Sequence, residues 1–167
     1  MVLSREELSR ALQHEIKILL HLAGKLEPAM LDYRPTPKQR SALELLRYLS
    51  AMAPGILEVA ATGTFSPPAW TVHEKAAAGR DFQQTMAVIA AQGVEYGQLA
   101  TRWSDADMRA EITVWGEKTS RGAFLVAFLL CGYAAYRTQL FLYLKACGRD
   151  ELGTNNLWDG ADPAKKG

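Results

Sequence analysis

The residues of this chain that could do metal or nucleophilic chemistry are few, and their spacing works against it. Gly132 and Tyr136 lie four apart in the stretch Leu129 to Leu140. On a helix they share one face at adjacent turns, the spacing with which two imidazoles grip one ion. Neither is a histidine. The chain's histidines are His14, His21 and His73. The first two are seven apart, which on a helix is about 10.5 Å along the axis. That is too far for two ligands that must each reach one ion at roughly 2.0–2.1 Å. His73 lies in a stretch bounded by prolines and glycines, with no partner nearby in sequence.

Nucleophiles fare no better. Cys131 and Cys147 fall in one helical pattern, which puts them roughly 24 Å apart and excludes a disulfide between them. They read as free, buried thiols, since cysteine is among the most buried residue types. No C-x-x-C pair occurs. A serine nucleophile lacks its G-x-S-x-G turn, and no Walker or Rossmann glycine pattern appears.

At 167 residues the chain fits one domain with its own core, and 49% apolar with 22% charged residues is a globular balance. A net charge of +1 leaves no electrostatic footprint for nucleic acid. The Lys165-Lys166 pair reads as a solvated end. The opening Met1–Glu7 lacks the basic-then-apolar layout of a secretory leader. The uncharged run between Arg121 and Arg137 is shorter than the roughly 18–20 residues of a membrane span. These readings predict a cytoplasmic protein with no membrane or nucleic-acid partner.

The elements that must position any site are helices. Ser4-Arg5-Glu6-Glu7 and Ser41-Ala42-Leu43-Glu44 are capping boxes. The first opens a helix with Leu8, Leu12, Ile16, Leu19 and Leu22 inward, reaching Leu26. The second opens one with Leu45, Leu46, Leu49 and Met52 inward, which Pro54-Gly55 should kink or interrupt. Thr62–Arg80 is a long connection with one short helical piece at Val72–Ala78. A connection of that length lets the helices it joins run parallel. Asp81 caps a third helix burying Phe82, Met86, Ile89, Val94 and Leu99 and ending near Trp103. Met108–Trp115 reads as extended, Gly116 breaks it, and the fourth helix runs from Thr119 or Ser120 to Cys147, stopped by Gly148. The prediction is an all-α, up-down-down-up four-helix bundle over residues 1–148, with a surface tail over 149–167 pinned by Leu157 and Trp158. The four tryptophans, Trp70, Trp103, Trp115 and Trp158, sit at segment ends, where packing is their expected role.

Two segments carry a family resemblance: Leu31-Asp32-Tyr33-Arg34-Pro35 followed by Ser41–Leu49, and Tyr136-Arg137-Thr138-Gln139-Leu140 followed by Tyr143-Leu144-Lys145 and Gly148. Together with the crossover they resemble the DinB-like (DinB/YfiT) superfamily of bacterial four-helix bundles, over the chain up to its tail. Metal-binding members commonly carry one histidine on the second helix and two at i, i+4 on the fourth. The resemblance places these at Tyr48, Gly132 and Tyr136, so the triad is absent and neither a metal nor another cofactor is expected. Neutral phenols are poor transition-metal ligands.

Some relatives use their metal to activate a low-molecular-weight thiol, and without ligands that chemistry has no basis here. No catalytic residue is assigned. The expected function is a binding bundle whose ancestral cleft is lined by Tyr48, Gly132, Tyr136 and Glu44. Either the two phenols plug the cleft, bonded to each other or to Glu44, or they line a pocket for a small apolar ligand. Arg137 and Gln139 should make bonds between helices or subunits. The resemblance and the apolar breadth of the fourth helix imply a homodimer. The alternative is a metal-dependent thiol S-transferase or isomerase whose ligands lie elsewhere.

Overall fold

The computed structural model describes residues 3–164, so the Lys165-Lys166 pair lies outside the described residues. Helix α1 (Arg5–Ala23) starts on the Ser4–Glu7 capping box and α2 (Ala42–Thr62) on the Ser41–Glu44 box. The core residues expected on both helices are buried. The crossover holds α3 (Pro67–Ala78), longer than the Val72–Ala78 piece expected. Its prolines stand at the first helical positions, where a missing N–H costs nothing, and Ser66 caps them. Helix α4 (Phe82–Gly97) follows the Asp81 cap, and the chain continues through α5 (Leu99–Arg102) and α6 (Asp105–Arg109).

The extended piece pairs with a strand the sequence did not suggest. β1 (Glu111–Val114) and β2 (Glu117–Ser120) form an antiparallel hairpin with Val114 opposite Glu117. Its two turn residues, Trp115 at φ 54° and Gly116 at φ 84°, are both left-handed, as a two-residue hairpin requires. Ser120 then caps a continuous helix from Arg121 to Ala146. It comprises α7 (Arg121–Phe124), a π-helical segment (Leu125–Leu130) and α8 (Cys131–Ala146).

Cross-helix contacts fix the directions. Met52 faces Gly132 and Tyr48 faces Tyr136, so α8 is antiparallel to α2. Leu8 shares a groove with Val126 while Glu15 pairs with Arg137, so α1 is parallel to α8. Ser9 bonds the Tyr96 carbonyl and Ile16 packs on Gly93, which sets α4 antiparallel to α1. Helices α2 and α4 therefore run parallel across the crossover, the up-down-down-up bundle expected.

Pro54 does not interrupt α2, which is helical on both sides of it. Proline removes the N–H that would bond the Ser50 carbonyl. The Gln92 amide supplies a substitute from α4, donating to the Ser50 carbonyl at 3.2 Å and to the Leu49 carbonyl at 3.4 Å. Its oxygen accepts from the Tyr133 hydroxyl at 2.8 Å, which in turn meets the Tyr96 hydroxyl at 2.8 Å. With its own proton committed to Gln92, the Tyr133 oxygen accepts from Tyr96. Burial holds both phenols above their usual pKa, so this chain stays neutral. The network also corrects the expected face of α4. Thr85, Ile89, Gln92 and Tyr96 are its buried residues, whereas Val94 is 68% exposed.

The segment after Gly148 is a docked part of the bundle, more than a surface tail. Leu152 and Asn156 are buried, and α9 (Thr154–Trp158) packs on α1 and α8. Arg137 holds it, donating to the Leu157 carbonyl and to Glu15 at 2.5 Å while sitting over the Trp158 ring. Asn156 donates to His21 at 3.0 Å and to Asp162 at 2.9 Å, and Lys25 pairs with Asp162 at 2.6 Å.

Two outcomes follow from these contacts. Gln92→Ala should destabilise the protein by about 2 kcal/mol, because it strands a buried carbonyl and a buried hydroxyl. In a Pro54→Ala background, Ser50 regains its helical partner, so urea unfolding should show a smaller loss, a coupling of about 1 kcal/mol. The second outcome concerns pH. Burial, then Lys25, lower the His21 pKa from 6.5, with Lys17 acting the same way and Asp162 against them. The folded protein thus favours neutral His21, which accepts from Asn156. Its contribution is complete above the ordinary value near 6.5 and is lost as pH falls through the lower folded value. The stability advantage of the parent over His21→Ala should therefore shrink as thermal melts are taken below neutrality.

Candidate functional site

A cleft of about 530 Å³ opens between α2, α8 and the start of α3. Tyr48, Met52 and Ile56 recur at four-residue spacing along α2 and form one wall. Phe128, Gly132 and Tyr136 repeat that spacing on the opposite helix. Phe65 and Trp70 close the crossover side, and Trp115 reaches in from the hairpin. Half of the lining residues are aromatic. Phe65 lies 5.8 Å from Trp70 and 5.7 Å from Trp115, and Trp115 lies 5.1 Å from Phe128, all between ring centroids.

The backbone is shaped to put these rings there. Trp115 carries a large side chain at a positive φ, a conformation uncommon outside glycine, and remains 57% exposed. A Cβ on Gly55 would stand 2.6 Å from the Trp70 ring, so this glycine is the socket that admits the indole. The π-helical segment ends at Cys131, on the cleft wall, and π-turns of this kind often occur at functional sites.

Three of the four sequence-nominated residues come together. The Tyr48 and Tyr136 rings meet edge to face with centroids 5.1 Å apart. Burial, then the neighbouring Tyr136 hydroxyl, push the Tyr48 phenol up to about 12, so it stays protonated at neutral pH. Gly132 opposes Met52, whose sulfur would lie 3.2 Å from an added Cβ. Its missing side chain thus serves close helix packing. Glu44 is not in this cleft. Its carboxylate accepts from the Ser41 N–H at 2.8 Å and pairs with Arg34 at 3.2 Å, and it faces an adjoining groove. Those contacts, led by the Ser41 bond, lower its pKa.

The donor set does not suit a transition metal. Tyr48 is a neutral phenol, Gly132 has no side chain and Tyr136 is a second phenol. Among the described residues no three His, Cys, Asp or Glu side chains converge. His14 meets the Trp158 carbonyl at 2.8 Å, His21 the Asn156 amide and His73 Glu58 at 3.2 Å. Each is engaged outside the cleft lining. Cys131, expected to be buried, is exposed on the wall of the open cleft, while Cys147 is partly buried. Gln139 bonds the Tyr143 hydroxyl, which donates to the Arg40 carbonyl at 3.0 Å. Trp103 packs in the core as expected, but Trp70 and Trp115 line the cleft. Their only sequence signal was a cluster of aromatics in connections.

This geometry has a counterpart among solved structures. The crystal structure of a DinB-like protein, YjoA, from Bacillus subtilis matches with a TM-score of 0.67. The match covers 88% of this chain and 96% of that one at 16% identity. The fold is DinB-like. No family model matches the sequence, and no curated protein does. At that identity the likeness speaks for the DinB-like architecture alone; the contents of the cleft are this chain's own.

The Gly55 socket makes a direct test. Gly55→Ala gains helix propensity of up to about 1 kcal/mol. It also forces the Trp70 ring out of contact, an overpacking that costs about 1–3 kcal/mol. Net destabilisation is expected, together with a red-shifted tryptophan emission as the indole moves toward water.

Proposed function

We propose that this DinB-like bundle is a binding protein that takes a small, largely apolar molecule in the cleft beside Tyr48 and Tyr136 without a transition metal. The observation that carries the reading is the aromatic cleft itself. Its volume of about 530 Å³ falls within the range of small-molecule sites, and its wall is six aromatic rings with few polar atoms. The phenols give it a polar edge: with the two hydroxyls bonded to each other, one proton is left to donate to a ligand. Metal-dependent thiol transfer, the alternative, lacks a donor set among the described residues.

The working form we propose is a homodimer. The helix Arg121–Ala146 is long and apolar enough in composition to cross a bilayer, yet it is a bundle helix here. Its inward face packs on α1 and α2, and its Arg137 is buried against Glu15. The helix nonetheless presents Ala127, Phe128, Cys131, Ala135 and Leu142 to solvent with no charge among them, the first four also lining the cleft. A second copy would cover that stripe. Two free thiols suit a reducing compartment, which supports work in the cytoplasm.

The test is a fluorescence titration with an uncharged aromatic probe, 1-naphthol, read through tryptophans Trp70 and Trp115. Saturable quenching is expected, weakened about tenfold or more by Tyr136→Ala, which removes one wall. Unsaturable quenching that ignores this substitution would sink the binding reading. Light scattering on the same samples should give twice the chain mass, and a monomer at micromolar concentration would sink the dimer.

A further inference from the structure

Beside the cleft, on the other side of Tyr48, lies a second groove of about 250 Å³ between α2 and α3. Tyr48 is a wall of both spaces. Helix α3 likewise contributes to both, with Trp70 in the cleft and Glu74 one turn on in the groove. The groove differs from the cleft in charge. Arg40 and Arg47 line it with Glu44 and Glu74, and Glu44 is already neutralised by Arg34.

Neither Arg40 nor Arg47 pairs with a carboxylate among the described residues. The Arg40 guanidinium carbon sits 4.0 Å from the centre of the Tyr48 ring, a cation–π contact, and its nitrogens make no hydrogen bond to described residues. Arg47 is oriented by a bond from its Nε to the Arg80 carbonyl at 2.7 Å. Its terminal nitrogens make no hydrogen bond to described residues. Arg80 adds a third guanidinium nearby, held on the Ser50 hydroxyl at 2.7 Å. Two guanidinium groups in a groove that shares its Tyr48 wall with the apolar cleft form an acceptor for a planar anion.

We infer that the cleft's ligand is an acid: its apolar body lies against Tyr48, Tyr136 and Trp70, and its carboxylate reaches around Tyr48 to Arg40 and Arg47. This rests on the binding reading above and narrows it to a class. Among the groove's own lining residues, Arg40 and Arg47 against Glu74 leave about one unit of positive charge uncompensated, which favours a monoanionic carboxylate over a dianionic phosphate.

The experiment compares 4-phenylbutyrate with 4-phenylbutyramide, and decanoate with decanamide, by tryptophan fluorescence and calorimetry. Each acid should bind at least about tenfold tighter than its amide, the worth of a charge-assisted bond. Arg40→Gln should bring acid affinity down to the amide level and leave the amide unchanged. The Arg40 side chain makes no hydrogen bond or ion pair to described residues, only its contact with the Tyr48 ring, so this variant should keep its circular dichroism. Arg47→Lys, which keeps the charge but loses the fork, should lose part of the preference. Arg149→Gln, remote from the groove, should lose none. Equal binding of acid and amide overturns the acid assignment while the apolar site stands. An acid preference that survives Arg40→Gln and Arg47→Lys overturns the assignment to this groove. Failure of both pairs to bind removes the cleft reading and this inference with it.

Discussion

Pro54 leaves the Ser50 carbonyl of α2 without a helical partner, and the bundle is built around the side chain that replaces it. Gln92 reaches from α4 to that carbonyl with its amide nitrogen and receives the Tyr133 hydroxyl on its oxygen. Tyr133 lies next to Gly132 on α8, so one amide ties three helices at the level of the cleft floor. An unpaired buried carbonyl costs as much as a lost hydrogen bond. Rotating or sliding any of the three helices would therefore strand polar atoms that water cannot reach. An apolar core tolerates such shifts more readily, because dispersion contacts are non-directional. The network thus sets a register that leucines alone would leave looser.

That register is what gives the cleft its shape. With Met52 opposite Gly132, α2 and α8 approach closely, and Tyr48 and Tyr136 are brought edge to face one turn further along. Gly55 opens the other end of the same helix to Trp70. Two absent side chains on facing helices thus have different uses: one lets sulfur pack against backbone, the other lets an indole into the wall. The hairpin contributes Trp115 at an unfavourable φ, a local cost that the surrounding rings offset.

At the opposite side of α8, Arg137 and Glu15 form a buried pair whose remaining donor holds the Leu157 carbonyl. Removing one partner of such a pair leaves an uncompensated buried charge, commonly worth about 3–5 kcal/mol. The pair sits among otherwise uncharged positions on a very apolar helix. It anchors one face of that helix to α1 and α9.

Much of the architecture was legible in the residues. The capping boxes at Ser4 and Ser41, the spacing of Leu8 to Leu22 and Gly148 as a stop are local signals, read by hydrogen bonds within three or four residues. The length of Thr62–Arg80 was enough to imply parallel α2 and α4. The positions Tyr48, Gly132 and Tyr136 came from resemblance, and the tertiary structure brings them to one cleft but turns Glu44 away. What sequence could not decide was whatever depends on partners far along the chain. Val94 looked like core and Gln92 gave no signal, because hydropathy cannot see that an orphaned carbonyl from a proline on another helix awaits the amide. Trp70 and Trp115 read as packing residues, since a connection carries no periodicity to show where its side chains point. Local sequence sets which backbone groups are satisfied within an element; only the folded chain shows which groups must find partners elsewhere, and the cleft arises where they do.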